Sequence, residues 1–323
     1  MRFVKLGSTD MKVSVVAFGA WAAGGHWWGG NDEKDSIEAI QASIEAGVNL
    51  IDTAPAYGQG LSEEIVRKAV KGNRENVFIA TKCGLRWNLK KGMYFFDYDP
   101  GVPVYRYLGK ESLEEELDNS LKRLNTDYID LYQTHWQDPT TPIDQTMEFL
   151  MDAKKKGKIR AIGVSNANLQ QVKEYNANGI LDADQEKYSL IDLEVQEELL
   201  SWCEKNNVSM LAYSPTAKGL LTGKLTPQRK FSAGDIRKGD DVYSPENISR
   251  INALIDKYIK PVAQKHNAEI GNIATAWLVG NSSVIALCGA RNKKQAVENA
   301  AAGDILLDGE DMAKIKSFIK EAV

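Results

Sequence analysis

Short apolar runs and helix-period segments alternate along nearly the whole chain. The runs fall at 15–18, 48–52, 77–81, 129–134, 161–165, 183–185, 209–213 and 284–288, and they favour the aliphatic and β-branched residues that suit strands. Between and after them lie helical candidates at 35–46, 62–70, 112–124, 142–156, 193–205, 272–279, 293–301 and 311–322. Strands that alternate with helices imply a parallel sheet, and eight is the number that closes a barrel. The pattern therefore predicts an α/β fold, a (β/α)8 TIM barrel in one domain over 1–323. Segments 3–6 and 11–14 flank a Gly7-Ser8-Thr9-Asp10 turn, which predicts a β-hairpin that plugs the N-terminal end of the barrel. The last segment, 311–322, predicts a C-terminal helix, and Ser112 with Glu115 three positions on reads as a helix cap.

Two stretches break the rhythm. Residues 83–109 carry Trp87, Tyr94, Phe95, Phe96, Tyr98, Tyr105 and Tyr107 among Gly and Pro, and residues 222–244 are polar and contain glycine. Long loops in compact domains are functional or disordered, and the aromatic density of the first favours packing.

Composition narrows the function. With 43% hydrophobic and 26% charged residues over 323 positions, the chain is long enough to bury a sizeable core. A net charge of -4 and a pI near 5.6 offer no basic face to nucleic acid or an anionic membrane. No secretory apolar segment follows Met1, and no apolar run of about 20 residues is present to span a membrane. Cys83, Cys203 and Cys288 are odd in number and far apart, which predicts reduced thiols and a cytoplasmic setting. His26, His135 and His266 lack metal-ligand spacing, so no metal is expected. Tyr57-Gly58-Gln59-Gly60 continues to Glu63, where a dinucleotide fingerprint needs glycine.

The candidate chemistry sits where the runs end. Asp52, Lys82 and His135 close or follow three of them, and Tyr57 comes five positions after Asp52. C-terminal strand ends of a parallel barrel gather at one rim, where catalytic residues of such folds are found. A phenol titrates near 10, but an ammonium about 4 Å away is worth roughly 4 kcal/mol at an effective dielectric near 20, or about three pKa units in favour of the phenolate. That is an upper figure, since Asp52 partly neutralises Lys82. Tyr57 is then a general acid or base, and His135 is placed to donate to a carbonyl oxygen. Taken singly, each residue also suits a structural role; their meeting at one rim is what favours chemistry.

These residues lie in longer motifs. They are Asp52-Thr53-Ala54-Pro55-Ala56-Tyr57-Gly58 with Ser62-Glu63, then Ala80-Thr81-Lys82, then Leu121-Lys122-Arg123-Leu124 through Asp127-Tyr128-Ile129-Asp130-Leu131 to His135. Gly163-Val164-Ser165-Asn166 and Tyr213-Ser214-Pro215 follow, with Gly219-Leu220-Leu221-Thr222-Gly223-Lys224. In this order, over essentially the whole chain, the sequence resembles the aldo-keto reductase superfamily, closest to the bacterial branch of inositol-dehydrogenase-like proteins and general stress reductases.

The resemblance implies an NAD(P)H-dependent barrel oxidoreductase that interconverts a carbonyl and an alcohol. Its catalytic tetrad is Asp52, Tyr57, Lys82 and His135, with Tyr57 as proton donor. It implies cofactor contacts from Ala20, Trp21, Ser165, Asn166 and Gln185, stacking by Tyr213, and pyrophosphate contacts from Ser214, Pro215, Gly219, Leu220, Gly223 and Lys224. Gly289, Arg291, Gln295, Glu298 and Asn299 would surround the adenosine. Arg291 suits a 2′-phosphate, but Gly289, Ala290 and Gln295 depart from the Lys-Ser and later Arg of better-known reductases. NADP(H) is therefore expected, with NAD(H) possible. Trp21, Trp28, Trp87 and Trp136 are expected to wall a small carbonyl or alcohol substrate, aromatic surfaces suiting sugars and polyols. The chain would act as a monomer or homo-oligomer. Two other readings stand beside this one: a redox-sensing NADP(H)-binding subunit similar to potassium-channel beta subunits, and a different barrel enzyme acting on a phosphorylated substrate.

Overall fold

The computed structural model describes Met1–Val323. A hairpin of β1 (Phe3–Lys5) and β2 (Lys12–Ser14) precedes β3 (Val16–Gly19), β4 (Leu50–Asp52) and β5 (Phe78–Cys83). A three-stranded antiparallel excursion follows, of β6 (Leu85–Arg86), β7 (Met93–Asp97) and β8 (Pro103–Arg106) in the order β6-β8-β7. The remaining strands are β9 (Ile129–Thr134), β10 (Ile159–Ser165), β11 (Ala183–Lys187), β12 (Ser209–Tyr213) and β13 (Val284–Cys288). Strands β3, β4, β5 and β9–β13 close a barrel with every pair parallel, so the expected (β/α)8 fold is the observed one.

The barrel is filled, as its strand chemistry dictates. Leu50, Ala80, Leu131, Ala161, Ala183, Leu211 and Ile285 meet in its interior, joined from below by Leu6, Met11 and Val13 of the hairpin region. The hairpin turn is tied to the starts of two strands: Gly7 N donates to Ser209 Oγ at 2.8 Å, and Ser8 Oγ donates to Asp182 Oδ1 at 2.6 Å. The N-terminal mouth is thus plugged, and only the opposite rim is open to a ligand.

Helices α1 (Glu33–Glu45), α2 (Leu61–Ala69), α3 (Lys110–Leu124), α4 (Ile143–Lys155), α5 (Leu169–Ala177), α6 (Leu199–Lys205), α7 (Pro245–Leu254), α8 (Lys260–Lys265), α9 (Ile270–Leu278), α10 (Lys293–Ala301) and α11 (Gly309–Ala322) surround it. Three expectations are corrected. Ser112 does not cap α3, which starts at Lys110; buried Ser112 Oγ instead accepts from Arg86 Nη1 at 2.7 Å and ties the β6–β8 excursion to the helix. The helix expected over 193–205 shortens to α6, because Ser189 and Asp192 lock the preceding chain in a turn through mutual backbone bonds. Helices α5, α7 and α8 were absent from the expectation, although Asn168 with Gln171 and Ser244 with Pro245 supply their starts. A five-residue π-helical turn, Ile255–Ile259, joins α7 to α8. Their apolar stripe, Ile248, Ile251, Ile255, Ile259 and Val262, packs with Ile315 and Phe318 of α11 into a second core beside the barrel.

Candidate active site

Four side chains from four loops or strand ends converge at the open rim. Asp52 ends β4, Lys82 lies one residue before the end of β5, and His135 directly follows β9. Tyr57 is set by the turn between β4 and α2. There Gly58, with φ 70°, leaves no room for a side chain: a Cβ would lie 2.4 Å from the carbonyl oxygen of Gly24. The two backbones thereby touch, and the turn Ala20–Gly24 is pressed against Tyr57, with the Trp21 ring stacked at 6.1 Å.

Lys82 is fully buried, and its three N–H groups all find acceptors: Asp52 Oδ2 at 2.7 Å, the Thr53 carbonyl at 3.0 Å and Tyr57 OH at 3.1 Å. Because the ammonium can only donate, the Tyr57 oxygen accepts and its own hydrogen stays free for another group. The His135 ring meets the Tyr57 ring edge-on at 5.7 Å. Burial, with some help from Lys82, holds the His135 imidazole well below 6.5, so it is neutral at physiological pH. Burial works against the charge of Lys82, yet Asp52 and Tyr57 outweigh it and raise its pKa.

For Tyr57 the expected sign is reversed. Burial raises the phenol above 10 by more than the attraction of Lys82 lowers it, and Asp52 adds to the rise. The loss of water around the phenolate outweighs the nearby ammonium.

Around these residues lies a cleft of about 920 Å³, within the range of ligand and cofactor sites. Trp21, Ser165, Asn166, Gln185, Tyr213, Ser214, Pro215, Gly219, Lys224, Gly289, Arg291, Gln295, Glu298 and Asn299 line it, as do Trp28 and Trp136. Four expected residues do not. Ala20 and Leu220 are fully buried behind the surface, the latter in the second core. Gly223 is exposed, and a Cβ there would face Ile270, away from the cleft. Trp87 packs against the small cluster of Ala56, Leu85, Tyr98 and Val104 inside the lid formed by β6–β8.

The residues expected to meet the carboxamide are already bonded to one another and to the backbone. Ser165 Oγ donates to the Gln185 carbonyl at 2.8 Å, and Tyr213 OH donates to Asn166 Oδ1 at 2.9 Å. Asn166 Nδ2 donates to the His135 carbonyl at 2.9 Å. Lys224, expected at the pyrophosphate, is held between Glu269 at 3.0 Å and Glu298 at 2.9 Å. Half-buried Lys218, overlooked in the sequence, lines the middle of the cleft, where burial pushes its pKa below 10.5. At the far end exposed Arg291 donates to the Gly30 carbonyl at 3.1 Å.

Two loops cover this groove. Ile236 N donates to the Trp27 carbonyl at 2.9 Å, and Trp28 bridges Asp235. Arg237, paired with Asp235 at 2.8 Å, lies 5.4 Å from the Trp28 ring and donates to the Lys218 carbonyl at 3.1 Å. Trp27, which follows a candidate strand, and Phe95 and Phe96 of the aromatic-rich stretch also stand on the wall.

A filled parallel barrel open at one rim, with a phenol and a buried ammonium beside a large cleft, is the architecture of a barrel enzyme with its site at the C-terminal strand ends. The sequence profile of the Aldo/keto reductase family matches residues 15–320, and the chain belongs to that family. It is an enzyme that interconverts carbonyls and alcohols with a nicotinamide cofactor. It is 36% identical to the aldo-keto reductase YhdN of Bacillus subtilis over 326 residues, covering 100% of this chain and 95% of that one. It is 38% identical to the NADH-specific methylglyoxal reductase of Escherichia coli, covering 98% of both chains. The solved glycerol dehydrogenase of Gluconobacter oxydans superposes with a TM-score of 0.89 at 33% identity, covering 99% of this chain and 96% of that one.

Proposed function

We propose that this chain reduces a small oxygenated carbonyl, with Tyr57 giving the proton and Lys82, Asp52 and His135 supporting it. The observation that carries the reading is the saturated ammonium of Lys82, which fixes the Tyr57 oxygen while leaving its hydrogen unspent. A bound nicotinamide supplies hydride to the carbonyl carbon. Neutral His135 donates to the carbonyl oxygen, and Tyr57 hands over its proton as negative charge develops there. The cleft fits the cofactor: Ser165, Asn166 and Gln185 offer polar partners for the carboxamide, Tyr213 offers an aromatic face, and Lys218 stands for the pyrophosphate. Arg291, with Gln295 and Asn299, serves the adenosine end.

The substrate class follows from the walls. Trp21, Trp27, Trp28, Phe95 and Trp136 give broad apolar faces near Tyr57, which suit hydroxylated or dicarbonyl molecules of a few carbons. Relatives named for methylglyoxal and glycerol support this size. We place the chain in the bacterial branch of inositol-dehydrogenase-like proteins and general stress reductases that its motifs resemble, acting in the cytoplasm, where its three free cysteines stay reduced. Arg291 favours NADP(H) and leaves NAD(H) usable; kcat/KM with each nucleotide decides this, and a strong preference for NADH would remove the assignment of Arg291 to a 2′-phosphate.

Tyr57→Phe tests the proton donor. It is expected to cut carbonyl reduction roughly a thousandfold while NADPH still quenches protein fluorescence at the wild-type concentration. Retained turnover would sink the role given to Tyr57.

A further inference from the structure

The carboxylate of Asp52 is held by more than its lysine. Its Oδ1 accepts from Gln133 Nε2 at 3.2 Å and from Gln185 Nε2 at 2.9 Å. Gln185 Nε2 also donates to Gln133 Oε1 at 3.3 Å, so Asp52, Gln133 and Gln185 close a ring of hydrogen bonds beneath the site. None of the roles above uses Gln133. It is fully buried on β9, on the same interior face as Leu131. Amides on such a face cost free energy unless they are bonded, and Asp52 and Gln185 supply the bonds.

The seat of Gln133 is cut by its neighbour. Gly163 of β10 pairs with Gln133 in register, and a Cβ at 163 would lie 2.7 Å from Gln133 Cγ and 3.2 Å from Leu131 Cδ1. A side chain at 163 would force Gln133 to shift.

Both amide hydrogens of Gln185 are committed, one to a charged acceptor and one to a neutral acceptor. Its Oε1 is bonded to neither partner and can accept from the N–H of the group assigned to Gln185 above, a carboxamide. The two N–H bonds, one to Asp52 and one to Gln133, fix the way that oxygen points.

We propose that Gln133 is a positioning residue: by donating to Asp52 and accepting from Gln185 it holds the carboxylate in its place against Lys82 and Tyr57 and keeps Gln185 Oε1 directed at the nicotinamide. This rests on Tyr57 as proton donor. Gln133→Met removes the amide and keeps an unbranched side chain. The variant is expected to bind NADPH, measured by fluorescence quenching, within about twofold of wild type, because Gln185 keeps its bond to Asp52 and its free Oε1. Its kcat is expected to fall about tenfold, the scale of one hydrogen bond to a charged group, with KM little changed. The alkaline limb of kcat should also move to higher pH. Withdrawing a donor leaves more of the Asp52 charge to oppose proton loss from Tyr57, whose other charged neighbour is Lys82, with His135 neutral.

Gly163→Ala is expected to move the limb the same way, and to move it no further when added to Gln133→Met. Leu131→Val, a packing change on the same face, should lower Tm and leave the limb in place. An unmoved limb in Gln133→Met, or NADPH binding weakened more than tenfold, overturns the role of Gln133. If Tyr57→Phe is inactive in the same series, only this inference fails; if Tyr57→Phe is active, the reading beneath it fails too.

Discussion

The two sides of the cleft are built on opposite terms. On the barrel side the polar atoms are spoken for: Lys82 has three acceptors and Asp52 three donors. On the aromatic side the indole nitrogens of Trp21 and Trp28, and Nε2 of His26, are buried with no partner. An unmet buried donor costs on the order of 1–3 kcal/mol, whereas a fully bonded network rigidifies its members. The barrel side therefore holds the groups proposed to react in fixed places. The aromatic side is held by ring-on-ring packing instead, so directional bonds set one wall of the cleft and shape sets the other.

The contrast can be broken first at Lys82. Lys82→Met leaves Asp52 a buried carboxylate without its counter-ion, an arrangement that costs about 3–5 kcal/mol; urea denaturation should show that loss together with loss of turnover. Undiminished stability would mean that the network is looser than its geometry. On the other side, Trp28→Ala removes a ring that packs edge-on against Trp21 at 5.3 Å. It should raise KM several-fold, because a wall of the cleft is lost, and spare most of kcat. A larger fall in kcat than rise in KM would move Trp28 to the reacting side.

The smallest effect expected is one of pH. His135 is held neutral from well below 6.5, so carbonyl reduction should show no acid limb through pH 6.5. In its proposed role Tyr57 must keep its proton, and burial raises its pKa above the ordinary phenol value, so activity should be lost only on the alkaline side, later than for a free phenol. A kcat profile across this range checks both signs, and a limb near 6.5 would assign His135 a charge it does not carry here.

The barrel and its rim were legible because both depend on local pattern. A short apolar run followed by Asp52, Lys82 or His135 states its own strand and its own end. The aromatic side was read less well. Trp87 looks like wall material in the sequence, but β6–β8 turns it into the body of the lid, and only the pairing of Leu85 with Arg106 reveals which way it faces. Gln133 was passed over inside an apolar strand, since nothing local shows that Asp52, 81 positions away, is its partner. The phenol was misjudged for a related reason: the sequence shows a charge nearby and does not show how little water surrounds it.

The lid has two feet, and each is pinned by one carboxylate. Gly84 N donates to Glu116 Oε2 at 2.9 Å, and Leu108 N donates to Asp138 Oδ2 at 3.0 Å, while Tyr107 N reaches back to the Gly84 carbonyl at 3.1 Å. The first two bonds run from backbone groups of the lid to side chains outside it, so the feet hold whatever side chains the lid carries. Arg86, bonded to Ser112 and Glu115, is the lid's own side-chain tie to α3. A replacement lid grafted between Gly84 and Leu108 therefore keeps its backbone anchors, and keeps its hold on α3 only if it retains Arg86.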